Sequence, residues 1–221
     1  MEQQKRQIVP RYAYIPLISA VVLNFAVYIF ANLIASDFKH YDFTIWVDGL
    51  IPFVPFFITF YVLAYVQWVT GYIMIARESK EMCYKAVSAD IIAKLMCFVF
   101  YIALPTTMVR AEITGTGLLE SLTRLIYTVD TPTNLFPSIH CLESWVCLRF
   151  AIGMKKAPKW YKYVMLFFTV GVFMSVVFVK QHVVVDIPAG ILVFEIGLLI
   201  VKRSGIDRLF YRTELADKLV E

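Results

Sequence analysis

Charged residues, histidines and cysteines are few in this chain. Asp, Glu, Lys and Arg make up 17% of its 221 residues, and it has three histidines and four cysteines. The basic residues form no block dense enough for nucleic acid, so we expect no nucleic-acid partner. No repeat, low-complexity tract or long polar linker divides the sequence, which favours a single domain over residues 1–221.

Two further absences limit the chemistry. The cysteines show no paired C-x-x-C spacing, and we expect them to be small apolar packing residues. The acidic residues do not cluster at the spacing of metal ligands, and the aspartate-rich metal motif of CDP-alcohol phosphotransferases is missing. We therefore expect neither a metal ion nor another cofactor.

Apolar residues, by contrast, dominate the composition. They make up 60% of the chain, and the mean hydropathy of +0.69 lies above the usual range of globular domains. Six segments qualify as membrane spans, which need about 20 apolar residues each. They are residues 12–35, 50–76, 91–109, 138–153, 163–179 and 183–201. The sequence thus predicts an all-α, multi-pass integral membrane protein built as a bundle of six transmembrane helices.

The basic residues are distributed unevenly over the two sides that six alternating spans create. Sixteen of the 21 Lys and Arg residues lie on one side, four lie on the other, and Lys94 lies inside the third span. Because cytoplasmic loops are enriched in Lys and Arg, both termini are predicted to be cytoplasmic. Residues 36–49 and 109–137 then form outer loops, and we expect the protein to reside in the cell membrane.

The second outer loop contains apolar residues at helical spacing. They give a predicted short helix one apolar face, which we expect to lie against the membrane interface. These residues are Leu118, Leu119, Leu122, Leu125, Ile126 and Val129.

Two short polar segments stand out, FPSIHCLESW at residues 136–145 and KQHVVVDIPAG at residues 180–190. They place His140 and His182 at the ends of the fourth and sixth spans. One span runs inward and one runs outward between these histidines, so both are predicted to lie on the outer side. Arg110, at the end of the third span, is predicted to lie there too. The topology therefore gathers three polar side chains at one surface.

The start of the fourth span favours an anionic ligand. Ser138 is a good N-cap residue, and the free N–H groups of a helix N-terminus attract anions. Arg110 and Lys180 would add positive charge to the same volume, and such donors together suit a phosphate. We expect Ser138, Arg110 and Lys180 to bind the phosphate of a lipid, with membrane lipids as the surrounding partners.

His182 and Asp186 are four residues apart, so they share one face of a predicted helix. The carboxylate can accept the imidazole N–H, fix its tautomer and stabilise its cation, which makes His182 the predicted nucleophile. His140 would reach the same phosphorus from the opposite side, protonate the leaving oxygen and later activate water. This scheme needs no metal.

At these residues the chain resembles the type 2 phosphatidic acid phosphatase superfamily, whose members carry P-S-G-H and S-R-x5-H-x3-D elements on a six-helix membrane core. The chain has P-S-I-H at residues 137–140, and Ser175, His182 and Asp186 fall at the spacing of the second element. The resemblance implies the same roles for both histidines, for the aspartate and for the phosphate ligands.

The chain departs from the family pattern at several positions. The arginine of the second element corresponds to Val176, and we expect Lys180, one helical turn further on, to replace it from the same helix face. Arg110 alone remains of the family's K-x6-R-P element, and Ile139 stands at the motif glycine. The two elements are most similar to the branch that includes inositol phosphorylceramide synthases, which transfer a phosphoryl headgroup between lipids.

The primary prediction is a metal-independent lipid phosphatase that hydrolyses a phosphomonoester or diphosphate at the outer face through a phosphohistidine. In a first alternative, the same histidines serve a lipid phosphotransferase, whose acceptor alcohol occupies a second polar pocket that includes Glu143 and Asn134. In a second alternative, the protein binds an anionic lipid without catalysis. The sequence leaves the identity of the lipid and the oligomeric state open.

Two charges inside the spans are expected to pair, with extension of the Lys94 side chain to the cytoplasmic interface as the alternative. Lys94 and Glu195 lie at similar depths in the third and sixth spans, counted at 1.5 Å per residue from the outer side. Glu143, one turn inward from His140, is expected to contact a headgroup, an imidazole or a neighbouring helix.

Overall fold

The structure is a computed structural model that describes residues 7–212, most of which are helical. The helices are α1 (Tyr14–Ala35), α2 (Trp46–Leu50), α3 (Ile58–Glu78), α4 (Lys80–Ala103), α5 (Leu118–Val129), α6 (Ile139–Ala151), α7 (Tyr161–Phe178) and α8 (Asp186–Ser204). Short 3-10 helices precede α1 at Arg11–Ala13 and α3 at Pro55–Phe57. The prediction of an all-α protein is confirmed.

Four helical segments are long and apolar enough to cross a membrane, namely Arg11–Ala35, Pro55–Glu78, Lys80–Ala103 and Tyr161–Phe178. They support a membrane protein. α6 has 13 residues, and at 1.5 Å per residue its length of about 20 Å is less than the ~30 Å of a hydrocarbon core. α8 has 19 residues but carries Asp186, Glu195, Lys202 and Arg203, which lower its hydropathy.

The helix that contains most of the third predicted span, residues 91–109, begins and ends earlier in the chain than that span. α4 runs from Lys80 to Ala103, so Arg110 lies in the loop after the helix and not at its end. The side chain of Ser79 accepts a hydrogen bond from Met82 N and caps α4 directly after α3 ends. The charged residues that follow this cap lowered the hydropathy, which concealed the start of the helix.

Two other spans begin later than predicted. α3 begins at Ile58 and not near residue 50, because Pro52 and Pro55 interrupt regular hydrogen bonding before it. α8 begins at Asp186, so His182 lies in a turn before the helix. The predicted contact between the side chains of His182 and Asp186 must therefore form within this turn.

Close helix contacts depend on small residues. α4 packs against α1, α3 and α8, and α6 packs against α3, α7 and α8. A Cβ added at Gly197 of α8 would lie 2.7 Å from the Ala89 carbonyl of α4, and one at Gly190 would lie 2.5 Å from the Ser138 carbonyl. Glycine at both positions therefore allows the backbones to approach more closely than a larger residue would permit.

A buried group of charges joins α4 to α6 inside the bundle. Lys94 Nζ lies 2.8 Å from Asp90 Oδ2 and 2.5 Å from Glu143 Oε1. The Tyr72 hydroxyl of α3 donates to Glu143 Oε2 at 2.8 Å, and Lys94 also donates to the Ala20 carbonyl of α1 at 3.3 Å. Four helices therefore meet at one ammonium and its carboxylates.

The predicted pair of Lys94 and Glu195 is wrong. Glu195 Oε1 instead accepts hydrogen bonds from Trp145 Nε1 at 2.9 Å and from Arg149 Nε at 3.1 Å. Two side chains at equal depth on two helices need not point toward each other. Glu143 of α6 is the carboxylate that contacts Lys94. Glu143 is thereby engaged in the ion group and not in contact with a headgroup.

We expect Lys94→Met to destabilise the protein severely, because it leaves Asp90 and Glu143 buried without their counter-charge, a loss of about 3–5 kcal/mol. Thermal unfolding in detergent micelles measures the effect. Lys85→Met is the matched control, since Lys85 pairs with Glu81 on the same helix but in contact with solvent, where such a pair contributes about 0.3–0.5 kcal/mol. Equal shifts in the two variants would contradict a structural role of the buried group.

We expect Gly190→Ala to destabilise the protein by about 1–3 kcal/mol, because the new methyl group would push α8 away from the start of α6. The control is Gly153→Ala, whose methyl group would have its nearest neighbour, the Phe150 carbonyl, at 3.6 Å. The unfolding temperatures of the two variants in detergent micelles are compared, and an unchanged unfolding temperature of Gly190→Ala would refute the tight contact.

Candidate active site

His182 and Asp186 meet across the turn that joins α7 to α8. His182 Nδ1 donates to Asp186 Oδ2 at 3.0 Å, and the same oxygen accepts Val183 N at 3.2 Å. Asp186 is completely buried, and His182 retains 7% of its exposure. The carboxylate holds the proton on Nδ1 and leaves Nε2 with a free electron pair. The contact agrees with the prediction, although it forms in a turn and not along one helix face.

His140 lies at the start of α6, as predicted. Ser138 is the N-cap residue, and its side chain accepts a hydrogen bond from Cys141 N at 3.3 Å. The Ser138 amide donates to the Asp186 carbonyl at 3.3 Å, which joins the starts of α6 and α8. The ring centroids of His140 and His182 are 6.0 Å apart, close enough for both to act on one phosphate.

Ser138 is fully buried. Its hydroxyl, predicted as a phosphate ligand, is engaged in the helix cap, and its amide is engaged with Asp186. In this structure Ser138 therefore positions the start of the helix.

Aromatic side chains of α3 surround the ring of His140. The Tyr61 ring stacks on it with centroids 4.3 Å apart and an interplanar angle of 26°. Trp68 lies at 5.2 Å, and the edge of Tyr65 lies at 6.0 Å. These rings fix the orientation of the imidazole and shield it from water.

Arg110 reaches the site from the loop after α4. Its Nη1 donates to the Tyr127 carbonyl at 2.9 Å, its guanidinium lies 4.5 Å from the centre of the Tyr127 ring, and its Nη2 donates to Gln181 Oε1. Burial lowers the pKa of Arg110, and Asp130 opposes this effect. Burial raises the pKa of Tyr127 to about 12, so its hydroxyl stays protonated and donates to the Val179 carbonyl at 2.6 Å. The last turn of α5 thus positions the guanidinium.

The structure places Lys180 differently from the prediction. α7 ends at Phe178, and Lys180 follows in a turn with φ of 52°, so it does not share a helix face with Val176. Its Nζ donates to the carbonyls of Asp48 at 2.9 Å and Ile51 at 2.6 Å. Lys180 therefore contributes charge near His182 while it anchors the loop before α3.

The segment before α3 packs onto the His182 turn. Asp48 Oδ1 accepts Val184 N at 2.8 Å, and Oδ2 accepts Ile45 N at 2.9 Å. A two-residue strand β1 (Tyr41–Asp42) pairs in parallel with β2 (Thr106–Thr107), which connects the segment before α3 to the loop after α4. Both loops thereby cover the site.

A pocket of about 310 Å³ opens beside His182. Its polar lining residues are Asp42, Thr44, Asp48, Arg110, Lys180 and His182. A water molecule takes up about 30 Å³ of liquid, so the pocket can hold a phosphate together with several further non-hydrogen atoms. Its wall carries both basic and acidic groups.

We predicted a second polar pocket that includes Glu143 and Asn134. Neither residue lines the pocket beside His182 in the described residues 7–212. Glu143 contacts Lys94 in the buried ion group. Asn134 has φ of 56°, and its Nδ2 donates to Asn32 Oδ1 of α1 at 2.8 Å. Asn134 therefore secures the loop before α6 to the bundle.

Sequence reasoning missed three residues that shape the site, namely Gln181, Tyr61 and Asp48. The position of Gln181 directly before His182, in a polar segment already singled out, was a usable signal. Tyr61 and Asp48 belong to segments that gave no local indication of the site, since their partners lie far along the chain.

Comparison of the chain with known protein families, with curated proteins and with solved structures finds no match.

Proposed function

We propose that this protein is a metal-independent lipid phosphatase, which cleaves a phosphomonoester or diphosphate of a membrane lipid through a phosphohistidine. The observation that carries the proposal is the pairing of His182 with buried Asp186, with the His140 ring 6.0 Å from the His182 ring. Arg110 lines the same pocket as His182, whereas His140 does not line it. A nucleophile, its orienting carboxylate, a second imidazole and a cation are the groups that metal-free phosphoryl transfer requires.

Unpaired polar atoms at the site support an anionic ligand. Arg110 Nε, Gln181 Nε2 and His140 Nε2 are buried and have no hydrogen-bond partner within residues 7–212. Buried donors are normally satisfied. The oxygens of a phosphate would satisfy the arginine and glutamine donors and neutralise the guanidinium.

The proposed reaction has two halves. His182 Nε2 attacks the phosphorus, the bond between phosphorus and the lipid oxygen breaks, and His140 gives its proton to that oxygen. Asp186 stabilises the positive charge that develops on the His182 ring. In the second half His140 takes a proton from water, the water oxygen bonds to phosphorus, and phosphate leaves His182.

The proposed membrane arrangement has six spans, formed by α1, α3, α4, α6, α7 and α8, with both termini cytoplasmic and the site at the outer side. The turn after α3 and the segment after α6 meet at the opposite end, where Glu78 accepts hydrogen bonds from the amides of Lys155 and Lys156. The concentration of basic residues at that end supports the orientation.

α5 is proposed to lie in the outer interface. Half of its apolar face, Leu119, Leu122 and Ile126, packs against the core near α3. The other half remains between 57% and 84% exposed and is available to lipid. It consists of Leu118, Leu125 and Val129.

A lipid phosphotransferase is the second candidate, and the size of the pocket favours it. The volume beside His182 exceeds that of a phosphate, and Asp42 and Thr44 could bind the hydroxyl of an acceptor. An acceptor alcohol would then replace water in the second half of the reaction.

His182→Asn should abolish turnover, by at least about a thousand-fold, because it removes the nucleophile. The purified variant should also lose covalent labelling by a ³²P-labelled lipid phosphate. His40→Asn is the matched control, since His40 is the remaining histidine and contacts only the Phe38 carbonyl of its own loop among the recorded hydrogen bonds.

The substrate panel comprises phosphatidic acid, phosphatidylglycerol phosphate, undecaprenyl diphosphate and sphingolipid donors. Turnover or labelling retained in His182→Asn would exclude the phosphohistidine. A wild-type protein that binds these lipids but shows neither turnover nor vanadate-sensitive activity would be a lipid-binding protein.

Transfer and hydrolysis differ in how the products depend on an added alcohol. With a headgroup-labelled phospholipid, a phosphotransferase should form a second labelled lipid in proportion to the acceptor concentration, since the alcohol competes with water for the phosphohistidine. Thin-layer chromatography separates the products. Only free phosphate or released headgroup at saturating acceptor would exclude transfer.

A further inference from the structure

Asp130 stands at the end of α5 and faces the site. It is the C-cap residue of α5, where the negative end of the helix dipole disfavours a carboxylate. Its Oδ2 accepts a hydrogen bond of 2.7 Å from the hydroxyl of Tyr61, a residue that is completely buried. A carboxylate at this unfavourable position needs a reason beyond the capping of the helix.

Tyr61 links this carboxylate to His140. The Tyr61 ring stacks on the imidazole with centroids 4.3 Å apart, while its hydroxyl is bonded to Asp130. Asp130 also lies close enough to His140 and to Arg110 to interact electrostatically with both. One carboxylate thus acts on both the proposed acid and the phosphate-binding cation.

The two histidines differ in their need for a proton. His182 attacks as a neutral imidazole, and Asp186 holds its proton on the far nitrogen. His140 must begin the cycle as an imidazolium, yet it is enclosed by Tyr61, Tyr65 and Trp68, and burial disfavours a charged ring. Within the described part of the chain no carboxylate contacts the His140 ring directly. A negative charge that stabilises the His140 imidazolium must therefore act without direct contact.

We propose that Asp130 is a positioning residue that, through Tyr61, orients His140 and favours its protonated form for the first half of the reaction. The inference rests on the proposed phosphohistidine chemistry. It adds Asp130 as the group that helps His140 to hold the proton that it later donates. In the step concerned, the bond from His182 Nε2 to phosphorus forms and the bond from phosphorus to the lipid oxygen breaks. The proton of His140 passes to that oxygen and leaves a neutral imidazole.

The charges that face His140 come from three elements. Asp130 at the end of α5 favours the imidazolium, and His182 opposes it whenever its own ring is charged. Tyr61 and Tyr65 of α3 contribute hydroxyl groups that stay neutral near pH 7. Asp130 is therefore the negative group whose removal most directly tests the idea.

The test compares two leaving groups. Asp130→Asn should lower kcat/KM for phosphatidic acid, or for the panel lipid that wild type hydrolyses fastest, by about 10- to 100-fold. This loss is smaller than the full 10²–10⁴-fold contribution of a general acid, because His140 itself remains. The loss for p-nitrophenyl phosphate should stay below about threefold, because p-nitrophenolate leaves without a proton. The alkaline limb of the pH profile for the lipid should move to lower pH, since fewer His140 rings remain protonated.

Three variants complete the design. Tyr61→Phe keeps the stacked ring and removes the hydrogen bond, so it should show the same selective loss to a smaller degree. Asp130→Glu keeps the charge and should recover part of the lipid activity. Tyr163→Phe is the control, because Tyr163 is 62% exposed on α7 and is not among the rings around His140, and it should behave as wild type with both substrates.

The outcomes separate this inference from the proposed function. If Asp130→Asn loses activity equally on both substrates with an unchanged pH profile, or keeps full activity on both, the positioning role is refuted while the phosphohistidine proposal stands. If wild type hydrolyses neither substrate and forms no phosphohistidine, the proposed function itself fails. A selective loss with a displaced alkaline limb supports both.

Discussion

The contact between the starts of α6 and α8 is the constraint on which the site depends. The Ser138 amide donates to the Asp186 carbonyl, and Gly190 lets the two backbones approach so closely that a methyl group would not fit. Each of these helix starts carries one of the two histidines or its partner. The 6.0 Å between the imidazole rings follows from this backbone contact and not from a direct bond between the side chains.

Much of the site could be predicted from the sequence, because its elements are local. The N-cap at Ser138 and the spacing of His182 and Asp186 involve neighbours in the chain, and alternating spans bring both histidines to one side. The partners of Arg110, Lys180 and Glu143 could not be predicted, since they depend on how distant segments pack. Hydropathy also misplaced α4, because Ser79 caps it within a charged stretch, and a cap does not appear in a hydropathy average.

Charges in this protein serve two different purposes. Lys94 joins α1, α4 and α6 through contacts that are nearly complete, with Asp90, Glu143 and a carbonyl as partners. At the site, Arg110 and Gln181 contact each other but keep buried nitrogen atoms unpaired within residues 7–212. Saturated contacts stabilise a fold, whereas incomplete ones leave capacity for a ligand. The first group lies inside the bundle on α1, α4 and α6, whereas Arg110 and Gln181 lie in the loop after α4 and in the turn after α7.

The shortness of α6 has a consequence for how a lipid would reach the proposed site. In the proposed orientation the last residues of α6 lie beside Lys155 and Lys156 at the cytoplasmic surface. Because α6 has 13 residues, its first residue lies about 10 Å below the opposite surface of a ~30 Å hydrocarbon core. His140 then lies beneath the headgroup layer, and the outer loops extend above it. A lipid phosphate would move inward to react, its chains remaining in the leaflet, and the leaving lipid alcohol would be released directly into the bilayer.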